Sequence, residues 1–316
     1  MTTIDPVLGP LLLDASIQAY YAYDEHNPSR CRPDAVCPPD GYELVDCWTG
    51  VDTVFSWLAQ VECFGVVFRS KATPHTYVFA FRGTYSILDA LEDLASLGQA
   101  PFVPLRSQAG PDDIEVGSGF WSIYSTGTSP GPSMQQQVFA LLDKYQASGE
   151  PIARLLIAGH SLGGALCQLF ALDVALSPYA NLAPVVYTYA GPRVGNPAFA
   201  RVYDEHIGVT VRVQNTYDIV PCTPPESLGY QHAGDAYLMA FYNADAGWLD
   251  PYAKLYDHQA LNYQAVLACA LASPGGVCVD DALPVPTDAE TLVSSEPDPT
   301  TVCSFWPSPA ASGRHP

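Results

Sequence analysis

The chain has 316 residues, 48% of them apolar and 15% charged, enough material for a large buried core and too apolar for a disordered polypeptide. With 33 acidic against 13 basic side chains the formal net charge is -20, and no Lys/Arg cluster appears, which argues against nucleic acid and anionic membrane surfaces as partners. Nine cysteines, several among prolines or in a polar terminal segment, point to an oxidising compartment with disulfides. The odd number leaves at least one thiol unpaired in a monomer, and Cys167, inside an apolar helical stretch, is the candidate.

Taken in chain order, residues 1–21 read as an amphipathic helix without the basic and apolar regions of a secretory leader. A Pro/Cys-rich loop covers 27–41, followed by β-like runs at 63–69 and 76–82. A helical patch at 87–97 precedes a Pro-rich connection. Residues 134–146 then place Val138, Leu141, Leu142 and Tyr145 at helical spacing. A short buried strand at 154–158, a tight turn at 159–164 and a helix at 165–176 follow, with further strands at 185–190 and 209–214. Strand and helix in alternation predict an α/β fold, a mostly parallel central sheet with helices on both faces. The expected organisation is a single catalytic domain over 1–272 and a Pro/Ser-rich C-terminal tail over 273–316, lying extended against the body and tied through Cys303. No window approaches the roughly 20 apolar residues of a spanning helix, so the expectation is a soluble protein.

The strongest local signal is Gly159-His160-Ser161-Leu162-Gly163-Gly164, a G-x-S-x-G pattern between an apolar strand and a helix. That context puts the serine on a strained strand-to-helix turn, where bulky flanking residues would clash. A serine hydroxyl needs a histidine base, and the base needs a carboxylate to hold its tautomer. Downstream histidines are His206, His232, His258 and His315. Asp218 lies just past the strand at 209–214, at a strand's C-terminal edge, and His258 follows in the order Ser, Asp, His. His232 is the rival base, and His160 reads as a packing or hydrogen-bonding residue.

From residue 77 to 263 the chain resembles the class 3 lipases, the filamentous-fungal type that includes feruloyl esterases. The segments that carry the resemblance are 78–84 with Arg82-Gly83-Thr84, Gly119-Phe120, the Ser161 turn, 190–196 with Gly191-Pro192-Arg193, Asp218-Ile219-Val220-Pro221, and Asp257-His258, all in family order. The resemblance implies an α/β-hydrolase fold with Ser161 as nucleophile, Asp218 as triad acid and His258 as base. It also implies Thr84 and Leu162 as oxyanion-hole donors, the pair that the general architecture predicts too. Two departures stand out. Gly117 occupies a position where the family often has histidine, and Leu261 the position of a frequent tyrosine, with Tyr263 two residues on.

The stretch after Thr84, with Tyr85, Ile87, Leu88, Leu91 and Leu94 interleaved with acids, resembles the family's short helical lid and its substrate-binding surface. Ala90 stands where that lid often has tryptophan. The function expected is a serine carboxylic ester hydrolase, a secreted triacylglycerol lipase working through an acyl-enzyme. Its partner would be a lipid or small-molecule ester, met in passing at a lipid–water interface. The alternative is a short-chain or feruloyl-type esterase, and a more distant one a catalytically silent lipid-binding protein. No cofactor is called for and no metal-ligand spacing is present.

Overall fold

The computed structural model describes residues 2–53, 59–84, 98–107, 113–128, 131–244, 256–279, 282–284 and 291–303. Its frame is a sheet that, among the described residues, has nine strands in the order β1-β2-β3-β6-β7-β8-β9-β11-β10. These are β1 (Tyr42–Asp52), β2 (Gln60–Ser70), β3 (Thr76–Phe81), β6 (Arg154–His160), β7 (Val185–Tyr189), β8 (Val209–Asn215), β9 (Asp235–Asn243), β10 (Ala282–Pro284) and β11 (Thr291–Ser295). The centre, β3-β6-β7-β8-β9, is parallel. Antiparallel pairs close both flanks, β1-β2-β3 on one side and β9-β11-β10 on the other. A separate two-stranded ribbon joins β4 (Gln99–Pro101) to β5 (Glu115–Gly117).

Helices cover both faces, as the alternation of elements predicts. On one face lie α2 (Ser118–Ser125), α3 (Met134–Gln146), α4 (Leu162–Ala175) and α5 (Pro197–His206), packed over Phe79, Phe81, Ile157 and Val186. On the other lie α1 (Leu8–Tyr21) and α6 (Ala260–Ala272), packed over Val78, Ala80, Leu156 and Tyr189. The parallel strands are buried on both faces, which is why they read as continuous apolar runs rather than alternating ones. Helix α3 starts on a capping box, with Gln136 N donating to Ser133 Oγ at 3.2 Å and Ser133 N to Gln136 Oε1 at 2.9 Å. Asn196 caps α5, accepting from Phe199 N at 2.8 Å, with Pro197 in the first turn.

Sequence reasoning did not find the outer strands. β1 carries register shifts at Leu44/Asp46 and Trp48/Thr49, which break the alternation that marks a strand. β9 presents Leu238-Met239-Ala240-Phe241, an apolar run without period two. The segment expected to lie extended against the body instead contributes β11 to the sheet, pairing Leu292 with Asn243 and Ser294 with Phe241. Disulfides join Cys31–Cys63, Cys222–Cys303 and Cys269–Cys278, so Cys303 is tied down as expected. Cys167 is free and buried, and Cys37 and Cys47 are free as well. No helix among the described residues is long and apolar enough to cross a membrane.

Candidate active site

Strand β6 runs buried to His160, the chain turns at Ser161, and α4 begins at Leu162. Ser161 sits at φ 59°, ψ -131°, a conformation an L-residue holds only when its surroundings enforce it. Its N–H donates to Tyr189 O at 2.9 Å, and its carbonyl accepts from Gly164 N at 2.8 Å. The glycines around it answer to close approach. A Cβ on Gly159 would lie 2.1 Å from Gly163 O, and one on Gly163 would lie 2.3 Å from Phe81 O. This is the packing that lets helix and sheet meet at a turn so tight.

Past the end of β8, Asp218 is buried in the turn that follows Asn215. Its Oδ2 accepts from His258 Nδ1 at 2.8 Å and from Tyr263 Oη at 2.8 Å, and its Oδ1 accepts from Val220 N at 2.9 Å. With its proton on Nδ1, His258 carries a free lone pair on Nε2. That nitrogen is buried and has no hydrogen-bond partner among the described residues.

The turn that follows β3 supplies Gly83 and Thr84, and a Cβ built on Gly83 would lie 2.9 Å from Ser161 Cβ, so this turn abuts the serine. Thr84 is half-buried. Leu162 heads α4, and the first N–H groups of a helix have no acceptor within it. The turn is anchored from behind by buried Arg82, whose Nε donates to Cys63 O at 2.8 Å and whose Nη2 pairs with Glu62 at 2.6 Å. Tyr85, Ile87, Leu88, Leu91 and Leu94 lie outside the described residues.

His232 stands elsewhere: its Nε2 donates to Pro221 O at 2.7 Å, and burial beside Arg212 and Arg193 holds its pKa well below the usual histidine value. The departures from the family pattern find local explanations. A Cβ on Gly117 would lie 2.7 Å from the Phe120 ring, leaving no room for a histidine without repacking. Tyr263, not residue 261, brings its hydroxyl to Asp218, and the same oxygen accepts from Asn215 N at 2.8 Å. Burial pushes the Tyr263 phenol well up, so it stays a donor.

Sequence reasoning missed Asn215 altogether. From the end of β8 its Nδ2 donates to Phe241 O at 2.8 Å and Asp257 O at 3.0 Å, and its Oδ1 accepts from Phe241 N at 3.0 Å. It therefore clips the Asp218 turn, strand β9 and the residue before His258 together. Asparagine at a strand end reads as an ordinary turn residue, and no local pattern distinguishes it.

Residues 78–228 match the family model described as lipase (class 3). A lipase of Rhizopus niveus is 33% identical over 216 residues, covering 65% of this chain and 49% of that protein. A lipase of Rhizomucor miehei is 31% identical over 251 residues, covering 74% of this chain and 63% of that protein. Over these residues the chain is similar to the class 3 lipases. Among solved structures, the lipase of Rhizopus microsporus var. chinensis superposes with a TM-score of 0.56 at 25% identity, covering 75% of this chain and 76% of that one. The fold is accordingly that of the family, an α/β hydrolase. The chain spans about half to three-fifths of the length of these curated relatives.

Proposed function

We propose that the protein is a serine carboxylic ester hydrolase, a triacylglycerol lipase acting through an acyl-serine intermediate. His258 Nε2 takes the Ser161 proton as Oγ attacks the ester carbonyl, and later returns it to the departing alcohol. Asp218 holds the Nδ1–H tautomer and stabilises the imidazolium that forms. The N–H groups of Thr84 and Leu162 receive the oxyanion, each donor supplying about 3–4 kcal/mol of transition-state stabilisation. Water then enters as the second nucleophile, activated by the same histidine, and releases the acid.

The observation that carries this reading is the buried Asp218–His258 hydrogen bond of 2.8 Å, which leaves the Nε2 lone pair free in a molecule whose strained serine heads a buried helix. Three disulfides support an extracellular working place, and the leucines after Thr84 support acyl chains met at a lipid–water interface. The test is hydrolysis of p-nitrophenyl esters from acetate to palmitate by the wild type and Ser161→Ala in parallel. Activity that rises towards palmitate and vanishes in the variant is the expected result. A maximum at acetate or butyrate would make the enzyme a short-chain esterase, and full activity in Ser161→Ala would dismiss the nucleophile.

A further inference from the structure

His160 precedes the serine and has no part in the chemistry just described, yet it is fully enclosed. Tyr20, Tyr263 and His258 surround its ring at centroid distances of 5.8, 6.1 and 4.8 Å. Both ring nitrogens are engaged. Nε2 lies 2.8 Å from the backbone carbonyl of His258, which only accepts, so Nε2 carries the proton. Nδ1 is then the acceptor, and the Tyr20 hydroxyl, 2.9 Å away on helix α1, donates to it. The carbonyl, which can only accept, thus imposes one tautomer on His160, and the Tyr20 hydroxyl complements it as donor.

The Tyr20 hydroxyl reaches further. A Cβ on Gly83 would lie 2.3 Å from Tyr20 Oη and 2.8 Å from His160 O, so the tip of Tyr20 fills the notch beside the turn that carries Thr84. One chain of contacts therefore runs from α1 through His160 to the backbone of His258, and passes the oxyanion turn on the way.

We infer that His160 is a positioning residue for the ester-hydrolase reaction: locked by Tyr20, its Nε2–H holds the main chain of His258 and so fixes the base against the serine that follows it in sequence. The inference rests on the proposed roles of Ser161 and His258. Because the nucleophile and the support of the base share a peptide bond, a shift of one carries the other with it. Burial, reinforced by His258 alongside, keeps His160 neutral well below the usual histidine range. It therefore adds no positive charge next to the imidazolium that forms during turnover.

The experiment compares Tyr20→Phe, His160→Leu and His160→Gln with wild type on a soluble p-nitrophenyl ester, using fluorophosphonate labelling to count competent sites and to time Ser161. Leucine removes the donor. Glutamine restores one N–H and one acceptor. His160→Leu should lower kcat per labelled site by about 100-fold, the penalty of a slightly misplaced catalytic group. KM should stay within about twofold, because ground-state contacts are untouched. Tyr20→Phe should lower kcat by about tenfold, a lost hydrogen bond's worth, and His160→Gln should recover most of the leucine loss. Labelling rates should fall in the same order.

Unchanged kcat per labelled site in both His160→Leu and Tyr20→Phe would overturn the inference, as would a glutamine variant no better than leucine. If His160→Leu does not fold, Tyr20→Phe and His160→Gln decide by the same criteria. Ser161→Ala run alongside separates the two levels: an active alanine variant dismisses the site itself, whereas an inert one beside normal His160 variants dismisses only the positioning role.

Discussion

Two buried carboxylates, one in the proposed triad and one inside helix α4, are held in almost the same way. Asp218 takes a backbone N–H from Val220 on Oδ1 and the Tyr263 hydroxyl on Oδ2. Asp173 takes a backbone N–H from Leu105 on Oδ1 at 2.8 Å and the Tyr124 hydroxyl on Oδ2 at 3.1 Å. The third donor differs: imidazole Nδ1 of His258 for Asp218, amide Nε2 of Gln135 at 2.7 Å for Asp173. Its three hydrogen-bond donors are all uncharged, and burial outweighs them and the Arg106 charge to push the Asp173 carboxyl up to about 6. The lesson is that burial and hydrogen bonds alone make a structural clamp, here fastening the 102–107 segment to α3 and α4. A titratable third partner turns the same arrangement into part of a proton-transfer site.

The comparison is broken most severely at its distinguishing member. Asp218→Asn puts a hydrogen-bond donor where His258 needs an acceptor, inverts the tautomer preference and should lower kcat by about 10⁴-fold with the fold intact, read by ester hydrolysis and circular dichroism. A loss below about tenfold would remove Asp218 from the triad.

The next effect belongs to Asp173 and is a matter of stability. Its folded-state pKa is raised above the unfolded value, so the stability this group contributes is fully present below about pH 4 and is lost as pH rises through about 6. The swing is up to about 3 kcal/mol. In Asp173→Asn that dependence should disappear, so the melting temperature of the variant relative to wild type should climb between pH 4 and 7. Parallel curves would show that Asp173 ionises normally.

Smaller effects sharpen the contrast between the two tyrosines. Tyr263→Phe takes a donor from Asp218 and an acceptor from Asn215 N, and should cost about 1–2 kcal/mol of stability together with about tenfold in kcat. Tyr124→Phe should cost about 1 kcal/mol in urea unfolding and leave kcat within about twofold. Equal kinetic effects in the two variants would erase the distinction between clamp and catalytic site.

How much of this was legible in sequence follows the range of the interactions. The Ser161 turn is local, strand, tight turn and helix in one stretch, and its glycines announce it. Asp218 and His258, the proposed acid and base, could be picked out by their order along the chain, since the hydrolase architecture delivers such groups from successive loops. The hydrogen bond between them crosses 40 positions and could only be expected. Tyr263 was visible merely as a departure two residues out of place, and α6 makes that displacement workable by presenting its hydroxyl to Asp218. Tyr20 gave no signal, because a helix residue 140 positions from its partner looks like any other member of an apolar face. β1 and β9 were hidden by bulges and by burial without alternation, properties that tertiary packing decides.

The disulfide from Cys222 to Cys303 has a bearing on the order in which the protein is made. Cys222 stands four residues after Asp218, and its partner is synthesised 81 residues later, after β11, which borders β9. A nascent chain that has just reached His258 already carries every proposed catalytic group. It still lacks the last covalent strut of the acid's loop and a neighbour for β9. The edge that carries the proposed triad acid is thus among the last parts of the described fold to gain its covalent and sheet neighbours.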